Sequence, residues 1–208
     1  MRPPVLIAIL LISLSISSFP HLLNGISFAP SGDLMFLETY TYAEFTSKLD
    51  PGDPFFKLIH TGEAVQSSSK LGFCPESNLE EAWSYIHSSA FQDKLPDDLL
   101  FAWGRGQDEP GKSLFVLREP GIENESPEQS DINKIEISDG SILITFSKAG
   151  GQKFEVLTGK NIGRDIAIVF KGQVYAAPKV QSAIAHGKCM ISGNFSEGEL
   201  EALKSVLE

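Results

Sequence analysis

Twice between Ile132 and Ala177 the chain sets two β-prone runs on either side of a two-residue turn, and this limits its folds more than any other feature. In the first pair, Ile132 to Ser138 and Ser141 to Ser147 alternate apolar with polar residues around Asp139-Gly140. Asp-Gly at that point favours a turn whose backbone twist matches the flanking strands. In the second, Ile166-Ala167-Ile168-Val169-Phe170 leads through Lys171-Gly172 to Val174–Ala177. The run Ile166 to Phe170 has no polar break, so both of its faces are expected to be buried. Between the hairpins, Phe154 to Leu157 ends a short helix that Gly159 can terminate. After them, Ser196 and Glu199 form a capping box that opens a helix through Leu203, Val206 and Leu207. Hairpins interleaved with helices predict an α+β fold, a mainly antiparallel sheet with helices packed on one face.

Upstream, Leu34 to Thr41 reads as a strand with Leu34 and Phe36 on one face, and Tyr42 to Leu49 as a short helix stopped by Pro51 and Gly52. Phe55 to Ile59 reads as a weak strand, followed by a polar loop through Ser69. Ser77 and Glu80 form a second candidate capping box. Leu79, Ala82, Trp83, Ile86 and Ala90 then recur at helical spacing through Gln92. Leu99 to Trp103 and Ser113 to Glu119 read as strands joined by a Gly-rich, charged loop, and the acidic stretch from Pro120 to Ser130 as a loop.

Met1 to Gly25 stands apart. Arg2 is its only charge, and the apolar stretch from Val5 to Ile16 is broken only by serines, the pattern of an export signal. The stretch is shorter than the ~20 residues of a membrane span. Cleavage near Ser15 and Ser17 or near Leu23 and Gly25 is one outcome, and an anchor through residues 5–23 the other. Both place the body of the protein outside the cytoplasm, in the periplasm or at the outer face of the inner membrane. Two cysteines follow, Cys74 and Cys189. In an oxidising compartment they form a candidate disulfide closing a long loop; the alternative is two buried small hydrophobes.

Composition and motifs remove several functions. Seventeen Lys and Arg against 27 Asp and Glu give a net charge of −10 with no basic run, the wrong sign for a phosphate backbone or an anionic membrane surface. Gly106 to Ser113 satisfies the phosphate-loop pattern letter for letter. Such a loop needs its Lys-Ser pair to open a helix, whereas Ser113 leads into Leu114-Phe115-Val116-Leu117, a strand composition. Asp108 and Glu109 would repel phosphate, and Pro110 lacks an N–H donor. No nucleotide is therefore expected. His21, His60, His87 and His186 lack metal spacing, and no nucleophile elbow or converging acid–base pair is present, so no cofactor, metal or catalytic residue is nominated.

The C-terminal half carries a longer pattern. Gly159-Lys160-Asn161-Ile162-Gly163-Arg164-Asp165-Ile166-Ala167-Ile168-Val169 is followed by Gly172-Gln173-Val174-Tyr175-Ala176-Ala177-Pro178. Then come Gly187 and Ile191-Ser192-Gly193-Asn194-Phe195-Ser196. This ordered series closely resembles the first periplasmic domain of the SecD and SecDF family, membrane proteins of bacterial protein export. The similarity reaches upstream to Leu95-Pro96 and Phe101-Ala102-Trp103-Gly104, and to the strand Leu34 to Tyr40, which looks like the Bacteroidetes version of the family.

The resemblance implies three parts: residues 1–25 as signal peptide or anchor, 26–94 as a base-like remnant and linker with one amphipathic helix, and 95–208 as the periplasmic head. It implies a non-enzymatic domain that holds unfolded or emerging polypeptide, with SecD, SecF or translocon components as partners. The family's membrane domain, which carries proton coupling, has no counterpart in these 208 residues, and Lys171 and Cys189 replace residues usual in the family. Binding unfolded chain with little sequence preference suits an exposed sheet edge, because every polypeptide offers the same N–H and C=O groups. Tyr175, Pro178, Val180 and Ile184 are the candidate contacts, since Pro178 marks an edge or strand end; the alternative puts them in the core. A module binding an unrelated envelope partner and a small envelope hydrolase are the other readings.

Overall fold

The computed structural model describes residues 34–106, 110–121, 126–138, 140–192 and 195–205. It begins with strand β1 (Leu34–Glu38), followed by two short helices, α1 (Tyr42–Thr46) and α2 (Phe55–Leu58). Strand β2 (Lys70–Pro75), helices α3 (Leu79–Ile86) and α4 (Ser89–Gln92), and strands β3 (Leu99–Trp103) and β4 (Gly111–Arg118) complete the first half. The second half runs β5 (Ile132–Ser138), β6 (Ser141–Phe146), α5 (Lys148–Lys160), β7 (Ile166–Phe170), β8 (Gln173–Ala176), β9 (Lys188–Ser192) and α6 (Glu197–Lys204). The described strands form three antiparallel sheets of three, ordered β1-β7-β8, β2-β4-β3 and β5-β6-β9. The class is α+β, as the hairpins predict.

The unbroken apolar run of β7 is explained by its position. It lies between β1 and β8 and is buried at every residue. Ile166, Ile168 and Phe170 point into a core shared with β5, β6, β9, α5 and α6, where Phe36, Phe146 and Phe154 meet with ring centroids 5.1–5.5 Å apart. Ala167 and Val169 point the other way, onto Leu37, Ala102, Leu117 and Val174. A strand that buries both faces has no use for polar alternation. Lys171 and Gly172 close the β7–β8 turn, both at positive φ (49° and 74°). Lysine is an unfavourable residue for that backbone, so the pairing of the two strands holds the turn.

A further core belongs to the first half. Phe45, Phe55, Phe91 and Phe101 pack ring against ring, with Trp83 and Trp103 beside them. It draws on residues both before and after position 94.

Several elements differ from the sequence reading. Phe55–Leu58 is helical, not extended. The Asp53 carboxylate accepts from the Phe55 N–H (2.9 Å), and Phe55, Leu58 and Ile59 share a buried face at helical spacing. The Ser77/Glu80 capping box does not form: a 3-10 turn, Glu76–Asn78, precedes α3, and the Ser77 hydroxyl turns to the Asn78 side chain. The same helix stops at Ile86 instead of reaching Gln92. His87 bonds back through Nδ1 to the Trp83 carbonyl, and Ser88 turns extended before α4 begins. Strands β2 and β9 have no counterpart in the reading, because Gly72, Pro75 and the short β9 give weak local signals. Helix α5 spans thirteen residues and runs through Gly159, so that glycine does not end it. Its Gly150 and Gly151 serve close approach: a Cβ would lie 2.6 Å from Asp131 Cβ and 2.9 Å from Gly187 Cα, respectively. The Ser196/Glu199 box caps α6, which ends at Lys204; Val206 and Leu207 lie outside the described residues, as do residues 1–33 with the signal or anchor segment.

Polar contacts sew the two halves together. Asp165, buried at the start of β7, accepts from the Ser69 N–H (2.7 Å) and from the Ser69 and Ser68 hydroxyls. Its carbonyl accepts from Thr39 Oγ1. Arg164 donates to the Thr39 carbonyl and pairs with Glu44 at 2.6 Å. Burial pushes the Glu44 carboxyl up, but hydrogen bonds from Arg164 and from Thr41, together with the Arg164 charge, outweigh it and hold the group at about 2, below its ordinary 4.5. A carboxyl lowered on folding adds stability that is full above pH 4.5 and is lost as pH falls toward 2. Glu44→Gln keeps the helix cap but removes the charge. Its thermal midpoint is expected to lie below wild type at neutral pH and to converge with it near pH 2, in melts recorded across that range.

Candidate functional site

Between β9 and the segment after β8 lies an apolar groove of about 270 Å³. Phe36, Phe154, Ile166 and Ile168 line it from the core, and Cys189 and Met190 come from β9. Pro178, Val180 and Ile184, three of the four residues nominated from the sequence, complete the lining. The backbone explains how they arrive there. Past the end of β8 the chain stays beside the residues preceding β7: the Ile166 N–H donates to the Pro178 carbonyl (3.1 Å), the Val180 N–H to the Arg164 carbonyl (2.9 Å), and the Gly163 N–H to the Val180 carbonyl (2.8 Å). This pairing anchors Val180, which is 7% exposed and belongs to the core. Ile184 is 37% exposed and points toward solvent, its N–H held by Thr158 Oγ1 at 2.9 Å.

The Pro178 carbonyl and both main-chain groups of Val180 are thus engaged by the segment preceding β7. The edge strand at this groove is β9, which pairs with β6 as an outer strand of its sheet. Its Cys189 and Ile191 turn inward, while Met190, at 69%, is the most exposed large hydrophobic side chain among the described residues. The sequence carries the signal for this, an in–out alternation across Lys188 to Ser192. It is short and lies directly after His186 and Gly187, both at positive φ, so the sequence reading contains no strand there.

Tyr175 lies elsewhere. It stacks on Phe195 (centroids 6.2 Å apart, planes at 15°), and the Arg105 guanidinium sits 4.2 Å over the Phe195 ring while pairing with Glu199 at 3.1 Å. Tyr175 lines a separate cleft with Phe73, Phe115, Lys70 and Glu63. Burial is the main influence that pushes its phenol upward from the ordinary value.

The Lys112-Ser113 pair of the phosphate-loop match lies inside β4, opposite Cys74 and Phe73, where no helix N-terminus can meet an anion. Among the described residues no group of three or more His, Cys, Asp or Glu is placed to hold a metal, and no helix is long and apolar enough to cross a membrane.

The architecture is α+β, with the doubly buried β7 at the centre of one sheet and β9 at the edge of another, beside an apolar groove. The model of the SecDF P1 head subdomain matches residues 104–208, and the chain belongs to that family. It is 31% identical over 122 residues to protein translocase subunit SecD of Magnetococcus marinus, covering 57% of this chain and 23% of that protein. It is 41% identical over 66 residues to protein translocase subunit SecDF of Thermus thermophilus, covering 32% and 9%. The chain thus spans about a quarter or less of the length of these relatives. A solved structure of a membrane component SecDF that enhances protein export aligns over 89% of this chain and 64% of that one, at 20% identity and a TM-score of 0.43.

Cys74 and Cys189 are free and buried, Cys74 in the core of the first half and Cys189 in that of the second, so the disulfide that the sequence allowed is not formed in this structure. Burial pushes the Cys74 thiol up to about 11 and the Cys189 thiol to about 12. Since thiolate is the reactive form, both are expected to resist an aromatic disulfide reagent in the native protein near pH 8 and to react once denaturant is added. Absence of any titratable thiol in denatured, unreduced protein would show instead that the two are bridged.

Proposed function

We propose that the chain is an exported, non-enzymatic domain that holds unfolded or emerging polypeptide outside the membrane, as an accessory of protein export alongside SecD, SecF or translocon components. The region from 95 onward serves as the holding head, and the preceding residues as a base-like support. The observation that carries this reading is the apolar groove walled by β9. An edge strand offers main-chain hydrogen bonds to any extended chain, and the groove beside it takes apolar side chains with little regard to sequence. Membership in a family whose relatives are protein translocase subunits supports the export setting.

Natural edge strands are usually protected by bulges, prolines or charges, because an open edge recruits other chains. β9 carries Lys188 but leaves Met190 in the open, and Ile184 is exposed on the facing segment. That combination suits a surface meant to be covered temporarily.

The test is titration of a fluorescent, permanently unfolded polypeptide against the folded protein. Saturable binding is expected, weakened about tenfold or more by Met190→Glu or Ile184→Asp, as for side chains central to an interface. Because both side chains already face solvent, the thermal midpoints of these variants should stay near that of wild type. Absence of binding would refute the reading, and binding indifferent to both substitutions would remove the groove as its site. Cross-linking in cells then distinguishes export components from another envelope partner.

A further inference from the structure

The charges at the same groove point to a narrower substrate class, an inference that rests on the holding function just proposed. Two charged residues line the groove, Lys179 and Lys188, with no carboxylate among its lining residues. This is a local inversion in a chain whose net charge is −10. Lys179 donates to a neutral partner, the Ser67 hydroxyl, at 2.6 Å, so its charge is not cancelled by that contact. Lys188 is exposed at the start of β9 and forms no ion pair among the described residues.

Strand geometry specifies where a bound chain would feel these charges. Along β9, Lys188, Met190 and Ser192 share the outer face, and Cys189 and Ile191 the inner one. A segment pairing with this edge must alternate in the same way. Residues beside Cys189 drop toward the apolar lining, and those beside Lys188 stand on the outer face with its ammonium group. Opposite charges facing one another across such a pair are favourable, and like charges are unfavourable by a comparable amount. The groove volume of about 270 Å³ suits a short apolar stretch and excludes a folded partner.

We infer that the groove prefers extended segments in which apolar residues alternate with acidic ones, and that it disfavours segments with lysine or arginine in the alternate positions. Lys188 and Lys179 are then specificity-determining residues of the site, while Ile184, Met190 and the apolar lining supply attraction common to all segments.

The experiment uses three capped heptapeptides with identical leucines at alternate positions and Glu, Gln or Lys between them. Their binding to the folded protein is measured at about 20 mM and about 300 mM salt. The expected order is Glu tightest, Gln intermediate and Lys weakest, with about a tenfold span between Glu and Lys at low salt that contracts at high salt. A Lys179→Glu, Lys188→Glu double variant, altered only at exposed positions, is expected to reverse the order. Equal binding of all three peptides at low salt, or an order that survives the double substitution, would overturn the charge preference and leave the holding function standing. Failure of every peptide to bind would remove both.

Discussion

The double burial of β7, the central strand of the β1-β7-β8 sheet, is the constraint from which the rest of the structure follows. A strand covered on one face can leave polar residues on the other, but β7 is clamped between the α5 and α6 side and the β3 and β4 side. Its small outward residues, Ala167 and Val169, let the first half approach closely, while Ile166, Ile168 and Phe170 fill the deeper core. Fully burying a side chain of the latter kind contributes roughly 1.5–3 kcal/mol, so this five-residue strand contributes to two cores at once. Neither half can be described without it. β1, from the N-terminal side, and β8, from the C-terminal side, are both fixed by pairing to the same strand.

That arrangement also positions the groove. Because β7 is central, the chain preceding it is held where Arg164 and Ile166 can pair with the segment from Pro178 to Val180, which is how that segment reaches a wall opposite β9. The seam between the halves begins at the same residues: Arg164 reaches Glu44, and Asp165 gathers Ser68 and Ser69. The Asp165 carboxylate is buried yet accepts three hydrogen bonds, the condition under which a buried polar group specifies an arrangement instead of destabilising it. Lys179, one of the groove's two cations, also reaches across the seam to Ser67. The groove and the junction of the two halves are therefore adjacent.

How much of this was legible in the sequence depended on the range of the interactions. The two hairpins were readable because their signals are local: Asp139-Gly140 and Lys171-Gly172 sit between runs whose patterning already states which faces are buried. The Ser196/Glu199 cap was readable for the same reason. The Ser77/Glu80 match has the same letters and fails, because Pro75 and the 3-10 turn set the helix start one residue later. Gly159 looked like a helix stop, although α5 runs through it to Lys160. Glycines within α5 answer to neighbours far away in sequence, with Gly151 touching Gly187, and no local window contains that information. The groove was half legible. Pro178, Val180 and Ile184 line the groove, whereas β9 and Met190 are hard to read locally, since pairing with β6 makes that short stretch a strand. Tyr175 was grouped with them by sequence proximity, yet its ring turns to Phe195 and Arg105 instead.

The proposed holding function requires that unfolded chain not be held too well, and the geometry of this groove bears on that balance. Main-chain pairing of a guest along the five residues of β9 would supply a modest, sequence-blind attraction, because each hydrogen bond would replace one already made to water. The apolar lining adds more, but only for side chains that reach Phe36, Phe154 and their neighbours, and the volume of about 270 Å³ caps how many do. Ordering a flexible segment opposes both contributions, since each residue fixed costs about 1–2 kcal/mol. The sum favours weak, readily reversed occupancy over a stable complex. A longer or deeper groove would tighten the grip, but it would also lower release, which a holder serving a moving chain requires. Under the proposed function, the short β9 edge suits a transient guest.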